Sequence, residues 1–351
     1  MIYNALLFVP LLGVMVETIY TSKVTVLSNR YFLLISLFFI GVGGLTKTNG
    51  LDINAYTAIF ESPITANDIW EFGQFEPFFL LLCNCFPSYE SFIFVFMVIN
   101  LIFISRTIKR YSPYTCLSLF VYITGYYLLG PMGQIRQAIA ISIMIYAWRY
   151  FNEKRILFWV AIASLFHYSA IICILLYFIP DKLKSVKFYV LIVAISVIVY
   201  IPIQGIMMNL LANVMGNSLG VAGAKVALYL STESTQISIL YLMYKLLILS
   251  LLLWKRNALL SIRIFPKLLN IYVVSILMWL FLSFSGSLGG RLSLYFSMTE
   301  ILLLPYIFWA FRNAQLRFIV YPIFITLCIY QYYSFLYEYA FIFLPYKSIF
   351  S

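Results

Sequence analysis

The sequence predicts an all-α integral membrane protein of about 12 transmembrane helices with two larger extracytoplasmic loops. Three observations predict it. Of the 351 residues, 64% are hydrophobic and only 10% are charged, with a mean hydropathy of +0.97, whereas a soluble chain carries about a quarter charged residues. Apolar runs near the length of a bilayer crossing recur along the chain. Lys and Arg gather in short clusters between those runs, where orientation signals sit.

The runs give candidate crossings at 3–20, 31–46, 88–105, 114–130, 136–151, 156–167, 168–180, 187–203, 237–254, 269–285, 291–311 and 318–337, in one polytopic domain over 1–351. The first run lacks a basic lead-in and a small-residue cleavage site, so it is expected to stay as a span. The stretch 156–180 reads either as one long helix or as a hairpin turning at Phe166-His167-Tyr168-Ser169. Charge decides between them. With the amino terminus outside and a hairpin at His167, the clusters Lys23/Arg30, Arg106/Lys109/Arg110, Arg149/Lys154/Arg155, Lys182/Lys184/Lys187, Lys255/Arg256/Arg263/Lys267 and Arg312/Arg317 all face the cytoplasm. That assigns 17 of the 23 basic residues to one side. A single helix would export the Lys182–Lys187 cluster and invert everything after it.

Two large loops then fall on the extracytoplasmic side, 47–87 and 204–236. The first is acidic, with Asp52, Glu61, Asp68, Glu71 and Glu76. Its segment Phe78–Phe86 is apolar but too short to cross, and is expected to be a re-entrant or interfacial helix. The net charge of +11 does not indicate nucleic acid, because the basic residues sit at span ends. Cys83, Cys85, Cys116, Cys173 and Cys328 are odd in number and form no C-x-x-C pair, so they read as packing residues. The tyrosines Tyr330, Tyr332, Tyr333, Tyr337 and Tyr339, at the outer end of the last crossing, read as an interfacial belt.

Ionisable groups at membrane depth are costly and need a partner or a task. Arg136 and Arg291 each begin a crossing just after a glycine-bearing turn, Gly130-Pro131-Met132-Gly133-Gln134-Ile135-Arg136 and Ser285-Gly286-Ser287-Leu288-Gly289-Gly290-Arg291. A helix amino terminus attracts anions and a guanidinium adds a planar fork of donors, so two such turns suit a diphosphate. The plainer alternative is that each Arg snorkels to headgroups or pairs with a carboxylate of the acidic loop. His167, the single histidine, sits at the expected hairpin turn and can act as base or donor near neutral pH; a lone histidine is more commonly a packing residue. No metal site can be assembled from it, and no cofactor is expected. Glu76 and Asp52 are further candidates for accepting a proton from a sugar hydroxyl. Lys245 and Glu300 lie inside crossings and either pair with each other or lend Lys245 to an anion cavity.

The ordered set Asp52-(x)3-Tyr56, Glu76-Pro77-Phe78, Arg136-Gln137-Ala138-Ile139-Ala140, Phe166-His167-Tyr168-Ser169-Ala170 and Gly290-Arg291-(x)3-Tyr295 resembles the EpsG-like family of Wzy polymerases, over most of the chain. Those bacterial membrane proteins join repeat units of O-antigen (lipopolysaccharide), capsule or exopolysaccharide. The resemblance implies a GT-C-like, metal-independent glycosyltransferase of the bacterial inner membrane. Its active site would face the periplasm. It would transfer a growing glycan from undecaprenyl diphosphate to a repeat unit carried on the same lipid. It further implies His167, Glu76 and Asp52 as catalytic candidates and Arg136 and Arg291 at the diphosphate, with Tyr56, Gln137, Tyr295 and Lys245 as sugar or accessory positions. A flippase and a chain-length regulator would be partners beside the bilayer. Three other classes compete, one of them a structural subunit of an export machine, which would tolerate loss of Arg136, Arg291 and His167 equally well. A lipid-linked oligosaccharide flippase would not need two large loops on one face, and a membrane sugar O-acyltransferase would need a cytoplasmic acyl-donor site that the sequence does not display.

Overall fold

A computed structural model describes residues 2–19, 24–44, 46, 50–61, 75–215, 238–283, 286–311 and 314–348. Lys23, Lys47, Asp68, Glu71, Lys225, Arg312 and most of the second expected loop, 216–236, lie outside them. The described residues are almost wholly helical, and an isolated antiparallel bridge joins Thr46 to Ser348. Packing divides the chain into two compact units, Met1–Ile171 with Leu304–Ser351, and Ile172–Leu303.

In the first unit the helix Tyr89–Tyr111 packs on Ile135–Ala147 and on Val24–Gly44, while Ile2–Ile19 packs on Thr115–Tyr122. Tyr89–Tyr111 starts at a capping box, Ser88 with Ser91, and carries Lys109 and Arg110 in its last turn, where cations suit the helix dipole. Several polar groups buried among these helices are satisfied by partners, as a water-poor interior favours. Asn100 Nδ2 donates to the carbonyl of Ala138 at 3.0 Å and its Oδ1 accepts from Tyr122 at 2.7 Å. The buried Glu17 carboxylate accepts from the backbone N–H groups of Cys116 and Leu117 and the hydroxyl of Thr115, each at 3.1 Å. A carboxyl side chain thus caps the amino terminus of Thr115–Tyr122.

In the second unit Phe265–Leu282 opens with Pro266 in its first turn and packs on Gly286–Ser297 and Val186–Met215. Asn270 donates to the carbonyls of Pro180 (2.7 Å) and Lys182 (3.1 Å), and the Lys267 ammonium donates to the Ile179 carbonyl. These side chains fix the segment that leads into Val186–Met215.

Three described helices are long and apolar enough to cross a membrane, Tyr89–Tyr111, Phe265–Leu282 and Ile319–Glu338. The pair Gly289–Ser297 and Glu300–Ala310, bent by 44°, makes a fourth if read as one span. Shorter apolar helices, Ile2–Glu17, Arg30–Gly43, Arg155–Phe166, Tyr168–Phe178, Val186–Tyr200 and Ile239–Trp254, fall on six other expected crossings. Several elements differ in detail from the periodic reading. The stretch 114–130 is an α-helix, Thr115–Tyr122, that widens into a π segment, Ile123–Tyr127. The stretch 291–311 is broken at Met298-Thr299. The helix expected to end at 203 continues to Met215. The chain breaks at His167, where Arg155–Phe166 gives way to the 3-10 segment Tyr168–Ile174. Tyr332 is not a belt residue: it is fully buried and donates to the Tyr3 carbonyl at 2.9 Å, while Tyr330, Tyr333 and Tyr337 are exposed. On a helix, Tyr332 faces a different way from its neighbours in the string.

Candidate active site

Five of the singled-out residues meet in the first unit, each placed by a local signal. Glu76 precedes Pro77, and the clash that a proline imposes on the residue before it holds Glu76 extended, at φ −68° and ψ 130°, ahead of the short helix Pro77–Cys83. His167 terminates Arg155–Phe166 in an extended conformation, φ −154° and ψ 116°, with its N–H still donating to Ala163 at 3.1 Å. Arg136 is the second residue of Ile135–Ala147, directly after the turn 130–134.

That turn is glycine-dependent. A Cβ on Gly133 would lie 2.5 Å from the Leu129 carbonyl oxygen, and one on Gly50 would lie 2.5 Å from the Met132 carbonyl oxygen. The second contact shows how closely the 50–52 loop lies on the turn, and the Asp52 N–H donates to the Gly133 carbonyl at 3.3 Å. Tyr56, one helical turn after Asp52, is thereby brought to Arg136.

The polar atoms form a continuous chain. Tyr56 donates to Asp52 Oδ2 and accepts from Arg136 Nε, both at 3.3 Å. Arg136 Nη1 meets Glu76 Oε2 at 2.5 Å. The other oxygen, Oε1, lies 2.9 Å from His167 Nδ1 and accepts from the Tyr168 N–H at 3.1 Å. Glu76 therefore bridges the guanidinium and the imidazole, with the three side chains 4%, 15% and 14% exposed for Glu76, Arg136 and His167. Aromatic rings back the cation, with the guanidinium carbon 4.6 Å from the centre of Phe75, 5.6 Å from Phe79 and 5.8 Å from Tyr56.

Burial alone would raise the Glu76 carboxyl. The His167 hydrogen bond and the charge of Arg136 outweigh it and hold the group at about 2, so Glu76 is an anion and a weak base. Burial pushes the Tyr56 phenol above its ordinary value against the pull of Arg136, leaving a neutral hydroxyl that both donates and accepts. Because a carboxylate only accepts, Nδ1 of His167 carries the hydrogen toward Glu76, and in the neutral tautomer with that hydrogen the lone pair is on Nε2. The constellation can take up a proton at Nε2 and present a fixed cation beside it.

The remaining candidates are placed differently. Gln137 follows Arg136 on the same helix and is buried. Arg291 and Tyr295 belong to the second unit, one turn apart on Gly286–Ser297, Arg291 half-buried and Tyr295 buried. Lys245, also in the second unit, is fully buried in an ion pair with Glu300. Sequence reasoning missed Gly50, Phe75, Phe79 and the Tyr168 N–H. Phe75 and Phe79, four positions apart and flanking Glu76-Pro77, were the available signal for two of them.

A sequence model of the EpsG family matches residues 29–348. No protein of curated function and no solved structure matches the chain.

Proposed function

The chain belongs to the EpsG family, and from that premise we propose that it is a polysaccharide repeat-unit polymerase of the bacterial inner membrane. In this proposal the chain crosses the bilayer about 12 times in a GT-C-like arrangement, with its site toward the periplasm. Its donor is a glycan on undecaprenyl diphosphate and its acceptor a sugar hydroxyl of a repeat unit on the same lipid. A polyprenyl diphosphate is already an activated leaving group, so the protein must accept one proton and stabilise the charge left on the diphosphate.

The observation that carries the proposal is the Glu76 bridge, one carboxylate contacting Arg136 at 2.5 Å and His167 at 2.9 Å. His167 Nε2 takes the proton of the acceptor hydroxyl as its oxygen bonds to the anomeric carbon. The bond from that carbon to the diphosphate oxygen breaks, and the diphosphate leaves on its lipid with its charge facing Arg136; Arg291 is a separate candidate for contacting the donor diphosphate. Glu76, too weak a base itself, holds the imidazole tautomer and the guanidinium. Asp52 holds Tyr56, which holds Arg136.

The test is the surface glycan of cells lacking the gene, complemented with wild type or with His167→Gln. The expected outcome is a wild-type ladder of polymer lengths that collapses in the variant to a single repeat unit joined to its acceptor. Loss of even that unit would indicate a flippase or an earlier step, and an unchanged ladder would remove His167 from the chemistry.

A further inference from the structure

The second unit contains a buried ion pair that the proposed chemistry does not use. Lys245, in the middle of Ile239–Trp254, is fully buried, and its ammonium contacts Glu300 Oε1 and Ser297 Oγ, the latter at 3.0 Å. The preceding residue grips the other carboxylate oxygen, with Tyr244 donating to Glu300 Oε2 at 3.2 Å. The rings of Tyr241 and Tyr272 each lie 5.2 Å from the ammonium, and the Tyr272 hydroxyl donates to the Lys245 carbonyl at 3.0 Å.

The two acceptors of Lys245 have a particular relation to the backbone. Ser297 is the last residue of Gly286–Ser297 and Glu300 the first of Glu300–Ala310, the halves of the helix bent by 44°. At the break the backbone tightens to i→i−3 bonds, Thr299 N–H to Phe296 and Ile301 N–H to Met298, both close to 3.3 Å (3.3 and 3.2 Å). Sharp bends have local causes such as Pro, Gly or an inserted side chain. Neither Pro nor Gly occurs at Ser297-Met298-Thr299-Glu300; the single proline of the second half, Pro305, lies further on. What bridges the break is the Lys245 ammonium, which bonds a side chain on each side of it, Ser297 and Glu300.

We propose that Lys245 is a positioning residue: it staples the two halves of this broken helix and so sets the direction of the half that carries Arg291. The other end of that half is fixed by close packing, since a Cβ on Gly289 would lie 2.6 Å from the Leu282 carbonyl oxygen. Arg291 thus sits between a glycine contact two residues before it and the staple six residues after it. Its use at the donor diphosphate rests on the function proposed above; the staple itself does not.

The experiment measures a spin-label distance in the full-length protein in lipid nanodiscs. Labels go at Gly290→Cys, where an added side chain meets open space, and at Ile239→Cys, which is 74% exposed, with the exposed Cys85 replaced by Ser. Two variants are compared. Lys245→Met with Glu300→Gln removes both charges together, and Ser297→Ala removes only the tie to the first half while leaving the ion pair. The expected result is a distance distribution at least about twofold broader in each folded variant. An unchanged distribution in Ser297→Ala, which leaves no buried charge unpaired, overturns the staple. In parallel, Ser297→Ala is expected to raise KM for the lipid-linked donor about tenfold with kcat within about twofold. A broadened distance with unchanged kinetics would support the staple and count against Arg291 as a donor contact.

Discussion

Arg136 uses two different nitrogens on two different partners, Nε on Tyr56 and Nη1 on Glu76. An ammonium has neither the planar fork nor the reach to replace both. Arg136→Lys is therefore expected to abolish polymer in the surface glycan assay while the protein still accumulates in the membrane; full-length polymer would exclude the guanidinium from the reaction. Glu76 gives a pH prediction with a definite sign. Its folded value, about 2, lies below the ordinary 4.5, so the stabilisation it confers is complete above about 4.5 and is lost as pH falls from there toward 2. The gap between 4.5 and about 2 is worth on the order of 3 kcal/mol. The melting temperature in nanodiscs should drop between pH 6 and pH 3, as read by scanning fluorimetry, and Glu76→Gln should flatten that drop while lowering stability at pH 6. A steeper acid loss in the Gln variant would contradict the assignment. At this scale the sequence named Asp52, Tyr56, Glu76, Arg136 and His167 but left three of them as candidate bases. Their contacts favour His167 as the proton acceptor of the proposed reaction, because a carboxylate bonded to both an arginine and a histidine is held ionised.

The site is assembled by the ends of elements rather than by their middles. A proline-preceding residue, a helix-terminating histidine, the second residue of a helix and a loop laid on a glycine turn each supply one group. Gly50 is as tight a joint as Gly133, since its neighbour is the Met132 backbone oxygen, which cannot rotate away. Gly50→Ala should push the Asp52–Tyr56 segment off the turn, destabilise the protein by about 1–3 kcal/mol and reduce polymer length. Melting curves and glycan profiles of the Ala variant check this, and wild-type behaviour in both would show that the loop can give way. Helices overlap the expected crossings 88–105 and 269–285, but Tyr89–Tyr111 runs six residues further and Phe265–Leu282 starts four residues earlier. The break at Met298-Thr299 and the π segment at Ile123–Tyr127 were not legible, because apolar periodicity reports which face is buried and not where a ladder of hydrogen bonds shifts its spacing.

For the whole molecule, the charge pattern makes a topology prediction. Reporter enzymes fused after Tyr111, Glu153, Ser185, Arg256 and Ala314 should report the cytoplasm, and those fused after Ile53 and Asn84 the periplasm. A periplasmic signal at Ser185 would mean that the chain does not return at His167 and would invert the topology after it. Composition and charge by themselves determined that this is a helical membrane chain and which ionisable residues needed an explanation, and the resemblance of its ordered motifs named the family. Those are properties of residue type and spacing, set by the cost of placing charge and bare backbone in hydrocarbon. The tertiary structure decided what each charge does. It put Glu76 between Arg136 and His167, buried Lys245 against Glu300 across a helix break, and gave Glu17 to the amino terminus of a neighbouring helix. Pairings across 55, 60, 91 or 99 positions of sequence have no local signature, because a buried charge requires only some partner, and packing selects which one.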